Sequence, residues 1–379
     1  MSFVWTEEQE SLAKAAREFA QTRMPVSHLR ALRDGRDAVG FSRERWSEMA
    51  VLGWPGITIA EEHGGSGLGF TELGLVLRAL GRTLAPHPFL STAVLSATAL
   101  TLGTTDAQRA RWLPAIASGG SVVAFAHDEG TRHARTRIAT RALESASGLR
   151  LVGDKTLVLD GHVAEAFIVV ARTSGAVDDR EGLTLCRVPR DAPGVTITRT
   201  SMVDSRNAAN VRFESVEVQR DHVLGTIGRG ADSLDVTLDR ATIALSAEML
   251  GGAEELFERT LAYLKTRRQF GVPIGSFQAL KHRAAQMFCE LELSKSIVQA
   301  ALSAIDEGRP DVAELASAAK ARVSDTFVLV ANEAVQMHGG VGVTDELDIG
   351  LFLKRARVTQ RLFGDAAHHR DRFARLRGY

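Results

Sequence analysis

Thr266-Arg267-Arg268-Gln269-Phe270-Gly271-Val272-Pro273-Ile274-Gly275-Ser276-Phe277-Gln278 interrupts a run that otherwise reads as helix from Gly230 to the end of the chain. Before it, Leu234, Leu238, Ala241, Leu245, Met249, Gly252 and Leu256 recur three or four residues apart. That period lays one apolar stripe along a long helix. After it, Ser276 can cap a second helix reaching about Asp306, because a serine hydroxyl accepts from an amide of the first turn. Gly308-Arg309-Pro310 turns the chain, and Asp311 can cap a third helix with the stripe Leu315, Ala319, Val323, Phe327, Val330 and Ala334. Gly339-Gly340 stops that helix. A fourth covers about Leu347 to Leu362, and Asp365 can cap a short last one. Long helices in succession joined by short turns predict an antiparallel four-helix bundle over residues 227–379.

Two other textures precede the bundle. From residue 6 to about 118 the apolar spacing is helical, as at Leu12, Ala15, Ala16 and Phe19. Pro25 limits the first helix, since proline cannot continue an interior hydrogen-bond ladder. A glycine-rich loop, Glu61 to Gly69, separates it from a helix over Phe70–Leu84, and Asp106 to Ala117 forms another. From Ser121 to about Leu224 short β-rich runs alternate with turn signals: Val122 to Ala126, Leu151 to Val152, Thr156 to Leu159, Phe167 to Ala171, Leu183 to Val188, Val195 to Thr198 and Val211 to Val218. The expected fold is α+β and multidomain: an N-terminal helical domain (1–120), a central antiparallel β-barrel or sandwich (121–226) and the C-terminal four-helix bundle (227–379).

Composition narrows the function. A chain of 379 residues is longer than one hydrophobic core usually serves. Its 46 basic and 46 acidic side chains cancel, so no electrostatic argument favours nucleic acid or an anionic membrane. Two cysteines, Cys186 and Cys289, form no CxxC pair, so neither a zinc site nor a disulfide framework is expected. Met1 to Glu10 lacks the basic start and apolar run of a signal peptide. No uncharged apolar run reaches the roughly 18 residues of a membrane span. The default expectation is a cytoplasmic protein. His368-His369 could suggest a metal, but neighbours on a helix diverge by about 100°, so surface histidines and no metal are expected.

Arg267-Arg268 behind a helix and a Gly-Gly stop each have plain explanations taken singly, as a complement to the helix dipole and as a C-cap. Taken together, Arg267-x-x-Phe270-Gly271, then Gln278, then Gln336-x-x-Gly339-Gly340-x-Gly342 resemble the acyl-CoA dehydrogenase family in order and spacing. Glu61-Glu62-His63-Gly64-Gly65 and Lys155 before Asp160-Gly161 add to the resemblance, which covers nearly the whole chain. It implies FAD as cofactor, an acyl-CoA substrate and an electron-transfer flavoprotein or similar acceptor. It also implies a dimer or tetramer, homomeric or heteromeric, because these residues contact the FAD of a neighbouring subunit in the family. Chemistry fits that assignment. The Arg267 guanidinium can hold a pyrophosphate through two charge-assisted bonds, Phe270, Gln278 and Gln336 flank it, and Gly339 and Gly340 let the backbone approach a ligand. No GxGxxG opens a helix after a strand, so a nicotinamide site is not expected.

Family members remove the α-proton of a CoA thioester with a carboxylate while the β-hydride passes to the flavin. In most, the carboxylate is a Glu just before a Gly near the C-terminus; here Phe363 stands before Gly364. Others carry it on the first bundle helix immediately before an Arg, which here is Asp239-Arg240. Asp239 is therefore the candidate base, with Arg240 in support; Asp365 is second, and a chain without a base is the remaining case. Two further departures fall in the β-region. Asp128, in Phe125-Ala126-His127-Asp128-Glu129-Gly130, occupies the position of a flavin-contacting Thr, and Leu157-Val158-Leu159 replaces Trp-x-Thr. Both leucines are expected to be ordinary strand core. The ending Gly364-Asp365-Ala366-Ala367-His368-His369-Arg370 resembles a subgroup acting on bulky or unusual CoA thioesters, such as steroid side-chain or dicarboxylic acids. Some of that subgroup are heterotetramers in which one subunit type lacks the base. The expected activity is thus FAD-dependent α,β-dehydrogenation of an acyl-CoA to the 2-enoyl-CoA. Alternatives are a non-catalytic subunit that completes a partner's FAD site, and an oxidase or monooxygenase on the same fold.

Overall fold

A computed structural model describes residues 5–146 and 148–379. The helices are α1 Glu7–Arg23, α2 Val26–Asp34, α3 Arg43–Val51, α4 Phe70–Arg82, α5 Ala97–Gly103, α6 Asp106–Ala117, α7 Ala231–Thr266, α8 Gln278–Asp306, α9 Val312–His338, α10 Ile349–Arg361 and α11 Ala366–Leu376. The strands of the main sheet are β1 Val123–Ala126, β2 Arg141–Glu144, β3 Gly148–Leu159, β4 Ala166–Arg172, β5 Leu183–Pro189, β6 Val195–Ser201, β7 Asn207–Gln219 and β8 Val223–Leu224. Two further short strands, β9 Arg268–Gln269 and β10 Val272–Pro273, pair in the interrupting segment. None of the helices among the described residues is long and apolar enough to cross a membrane.

The chain forms two compact units. One comprises residues 1–31, 70–85 and 242–379. Its core is the expected bundle. Leu245, Met249 and Leu256 of α7 and Ala319, Val323, Phe327, Val330 and Ala334 of α9 are all buried. Glycines set the closest crossings: a Cβ on Gly251 would lie 1.9 Å from the Arg78 carbonyl oxygen, and one on Gly81 2.1 Å from that of Glu248. Helices α4 and α7 therefore touch backbone to backbone, and Arg78 clamps the crossing with a bidentate pair to Glu254 at 2.7 and 2.5 Å. Asp306, at the end of α8, accepts from the amides of Phe70 and Thr71 at 2.6 and 2.9 Å and so caps α4.

Two expected caps behave otherwise. Ser276 donates its hydroxyl to the Pro273 carbonyl at 2.7 Å, and α8 starts after Phe277 without a side-chain cap. Asp311 gives no cap bond either, because its carboxylate is taken by Arg309, two residues back. Asp365 does cap α11, accepting from His368 N at 3.0 Å.

The other unit comprises residues 32–69 and 86–241. Its sheet runs in the order β6-β7-β3-β2-β4-β5-β8, with β1 on β4. Most pairings are antiparallel, but β1 and β4 run parallel, as do β2 and β4 at Arg141 and Arg172. The two short runs expected at Leu151 and Thr156 are one strand, β3, broken in register between Lys155 and Val158. At that break Leu157 adopts a left-handed conformation, φ 51°, and is 41% exposed. Leu157 is thus not strand core: the irregularity turns it outward, while Val158 takes the buried place. β2 and the helical turns from Phe89 to Gly103 are absent from the sequence reading, since their apolar residues follow no clean period.

Candidate active site

The interrupting segment closes as a tight hairpin. Arg268 pairs with Pro273 and Gln269 with Val272, and the tip places Phe270 at φ 52° and Gly271 at φ 80°. Arg268 is committed to this turn, donating Nη2 to the Gly271 carbonyl at 2.8 Å. Arg267 is tied only through its backbone, to Tyr263 O and from Ile274 N, both at 2.8 Å. Its side chain is exposed, and among the described residues no carboxylate holds it. Phe270 is 91% exposed, and Gln278, Gln336, Gly339 and Gly340 are exposed as well.

A pair absent from the sequence reading joins the two motif segments. Tyr263, one turn before Arg267, stacks on His338, the residue before Gly339, with ring centroids 4.2 Å apart and planes 26° from parallel. Its hydroxyl lies 3.4 Å from the His338 carbonyl. His338 is fixed in turn by Nδ1 on Ala334 O at 2.7 Å, and burial lowers its pKa. The ends of α7 and α9 therefore sit side by side and bring the arginine turn to the glycine turn. Only the spacing of Tyr263 and His338 from the motifs could have signalled this.

Gly339 has φ 65°, and a Cβ on Gly339 or Gly340 would meet nothing within 4 Å. A guanidinium and two side-chain amides without partners among the described residues, together with an open glycine turn, suit a phosphate-bearing dinucleotide reached from outside the unit.

Asp239 lies on the first turns of α7 between buried Leu238 and Ala241, and is itself 5% exposed. Its Oδ1 is 3.0 Å from Arg135 Nη1, in an ion pair with both side chains about nine-tenths buried. Arg135 also donates Nε to Asp235 Oδ1 at 3.1 Å and Nη2 to the Asp235 carbonyl at 2.7 Å. Arg240 is half-buried. Nothing in the sequence linked Arg135 to Asp239, because the two are far apart in the chain.

The loop leading to Arg135 is held by the buried Lys155. Its Nζ donates to Glu129 Oε1 at 2.6 Å and to the His127 carbonyl at 3.0 Å. Burial lowers the Lys155 pKa despite the opposing pull of Glu129. Burial acts upward on Glu129, but Lys155 and the Thr140 and Ala139 amides outweigh it, so that carboxyl is lowered. Asp128 is gripped by two histidines, with His127 Nδ1 at 2.9 Å and His133 Nδ1 at 3.0 Å. Burial acts upward on Asp128 too, and the two histidines overcome it to hold the carboxyl well below its usual range.

Phe363 is buried at φ 58°. Its carbonyl accepts from His369 Nε2 at 3.0 Å, and Lys320 Nζ donates to the Gly364 carbonyl at 2.9 Å and that of Gln360 at 3.2 Å. Burial pushes Lys320 down to about 7, against the Asp365 charge, and His369 down to about 2. His369 is therefore an interior neutral ring and not the surface histidine expected. Asp365 is engaged by the α11 cap and by Arg361 at 2.9 Å, which leaves it poorly placed to act as a base. No carboxylate occupies the position of Phe363.

Comparison with known proteins places this fold among the flavin-dependent dehydrogenases. Three family models match in succession: the N-terminal domain of acyl-CoA dehydrogenase over residues 6–120, the middle domain over 126–216 and the C-terminal domain over 228–376. The chain is 30% identical over 373 residues to the probable acyl-CoA dehydrogenase YngJ of Bacillus subtilis, covering 95% of each. It superposes on butyryl-CoA dehydrogenase from Megasphaera elsdenii with a TM-score of 0.90 at 26% identity, covering 99% of each chain. It superposes equally, TM-score 0.90 and 27% identity over 100% of each chain, on a chain of the ChsE4-ChsE5 complex from Mycobacterium tuberculosis.

The chain belongs to the acyl-CoA dehydrogenase family, and its cofactor is FAD. It is an oxidoreductase acting on acyl-CoA.

Proposed function

We propose that the chain dehydrogenates a bulky or unusual acyl-CoA to its 2-enoyl-CoA in the cytoplasm, with Asp239 as the base. The observation that carries this is a buried carboxylate on the first bundle helix, in a chain whose C-terminal position holds Phe363. Asp239 takes the α-proton onto a carboxylate oxygen, and Arg135 fixes where that carboxylate points. Arg240, next along the helix, supports it. Bound FAD supplies the redox chemistry by accepting the β-hydride. Arg267 would hold the pyrophosphate, Phe270, Gln278 and Gln336 would line it, and the Gly339-Gly340 backbone would close on it from a neighbouring subunit. Exposed Phe270, Phe277, Phe288 and Leu293 favour a tetramer that covers them. An electron-transfer flavoprotein or similar acceptor would reoxidise the protein. The C-terminal resemblance to the subgroup that handles steroid side-chain and dicarboxylic thioesters supports the substrate class.

A second reading is a non-catalytic subunit that completes a partner's FAD site. Phe363 and the ion pair that engages Asp239 favour it. Purification of the protein alone, with its flavin-to-chain ratio and its bleaching by a panel of CoA esters, separates the two. Near-full FAD and bleaching by a bulky ester are expected. Colourless or half-loaded protein that gains flavin only on co-expression with a Glu-bearing homologue would establish the second reading and end the first.

A further inference from the structure

The sequence foresees no metal site, yet the fold gathers His127, Asp128 and His133 so that one ligand atom from each lies within 4.8 Å of the other two. His127 Nδ1 and His133 Nδ1 approach the same oxygen, Asp128 Oδ1, at 2.9 and 3.0 Å. The His127 side chain is 5% exposed and that of His133 2%, whereas Asp128 retains 26%. The rings are dry and the carboxylate is open to solvent on one side.

The second nitrogen of His127 decides what lies between them. His127 Nε2 is 2.9 Å from the Arg135 carbonyl oxygen. A carbonyl only accepts, so Nε2 carries a proton. Nδ1 then meets an ionised carboxylate oxygen with either a second proton or a lone pair. Two lone pairs at 2.9 Å repel unless a cation bridges them. An imidazole whose far N–H is anchored on a backbone carbonyl is the arrangement by which proteins orient a metal-bound histidine. Arg135, whose charge bears on His133, is balanced by Asp235 and Asp239. Lys155, through the His127 carbonyl, and Thr156 N, through the Asp128 carbonyl at 2.7 Å, pin the loop that carries the first two ligands.

We propose that His127, Asp128 and His133 bind one divalent cation of the zinc type through two imidazole nitrogens and one carboxylate oxygen, with a fourth position open to solvent. Imidazole nitrogens suit zinc and its first-row neighbours over magnesium or calcium. Bonds of about 2.0–2.2 Å in a tetrahedron hold donor atoms about 3.3 Å apart. Each ring nitrogen needs to draw back from Asp128 Oδ1 by a few tenths of an ångström, and the two, which lie within 4.8 Å of each other, need to close to that spacing. The ion fastens the loop that delivers Arg135 to Asp239. This assignment does not depend on Asp239 acting as a base.

The test uses untagged full-length protein stripped with a chelator. Zinc is titrated against a chromophoric chelator, and Co2+ is followed by visible absorption. One zinc per chain is expected, with the intense ligand-field bands of low-coordinate cobalt. Asp128→Asn is expected to weaken zinc binding on the order of 100-fold. Substoichiometric zinc, cobalt bands of the weak octahedral kind, or binding unchanged in Asp128→Asn would each overturn the proposal and leave His127 doubly protonated against Asp128. Should Asp128→Asn fail to fold, the cobalt spectrum of the unaltered protein still decides.

Discussion

Two Gly-Gly pairs in this chain look alike in sequence, share an open, positive-φ first glycine, and have opposite surroundings at the second. At Gly64-Gly65 the chain presses on itself: a Cβ on Gly65 would sit 2.0 Å from the Ile59 carbonyl oxygen and 2.6 Å from that of Gly56. At Gly339-Gly340 nothing of the unit lies within 4 Å of either Cβ position. Gly339 is still required by its φ of 65°, but Gly340 has no such conformation. In the first pair Gly65 is glycine because of what is inside the fold, and Gly64, whose Cβ position is open, because of its φ of 79°. The second has a residue whose identity is unexplained within the chain, as expected where a ligand or another subunit approaches. A motif of the same letters can thus report packing in one place and recognition in another, and only the space around the missing Cβ separates them.

Substitutions can break this contrast. The largest effect is expected at Gly65→Ala, where the overlap with backbone atoms cannot be relieved by a side-chain rotation. A loss of about 3 kcal/mol or more is expected, read as a lowered denaturation midpoint. Gly340→Ala is expected to leave stability within about 0.5 kcal/mol, as for surface changes away from special features. It should nonetheless weaken FAD retention about tenfold, equivalent to about 1.4 kcal/mol, measured by flavin release on dilution. If Gly340→Ala holds FAD as tightly as the unaltered protein, the open turn is a plain helix stop and the contrast fails. A small effect at Gly65 would show that the loop near Ile59 relaxes freely.

The sequence announced the parts of the molecule that obey a period or a local rule. The α7 and α9 stripes, the cap at Asp365 and the stop at Gly339 need only nearest neighbours along a helix, and they stand where they were expected. The caps at Ser276 and Asp311 did not form because a closer partner, Pro273 O or Arg309, competes for each side chain. The irregular β3 escaped because a register break turns Leu157 outward without changing the composition of the strand. The candidate site divides the same way. Arg267, Phe270, Gln278, Gln336, Gly339 and Gly340 were singled out by the order and spacing of their motifs, and the structure leaves all of them exposed; that they hold FAD is the proposal. Arg135 beside Asp239, Tyr263 against His338, and the His127, Asp128 and His133 cluster were not legible, since each is made by folding distant or unremarkable residues together. His369 was misjudged for a related reason: helix geometry separates it from His368 but does not say which of the two faces inward.

The role of Asp239 is tested most directly by single-turnover bleaching of flavin-loaded protein with a CoA ester that the unaltered chain reduces. Asp239→Asn keeps the shape beside Arg135 and cannot take the proton. A fall in the bleaching rate on the order of 100- to 10,000-fold, with FAD still bound, is the expected result for loss of a general base. Bleaching of Asp239→Asn at the unaltered rate would place the base elsewhere and contradict the account.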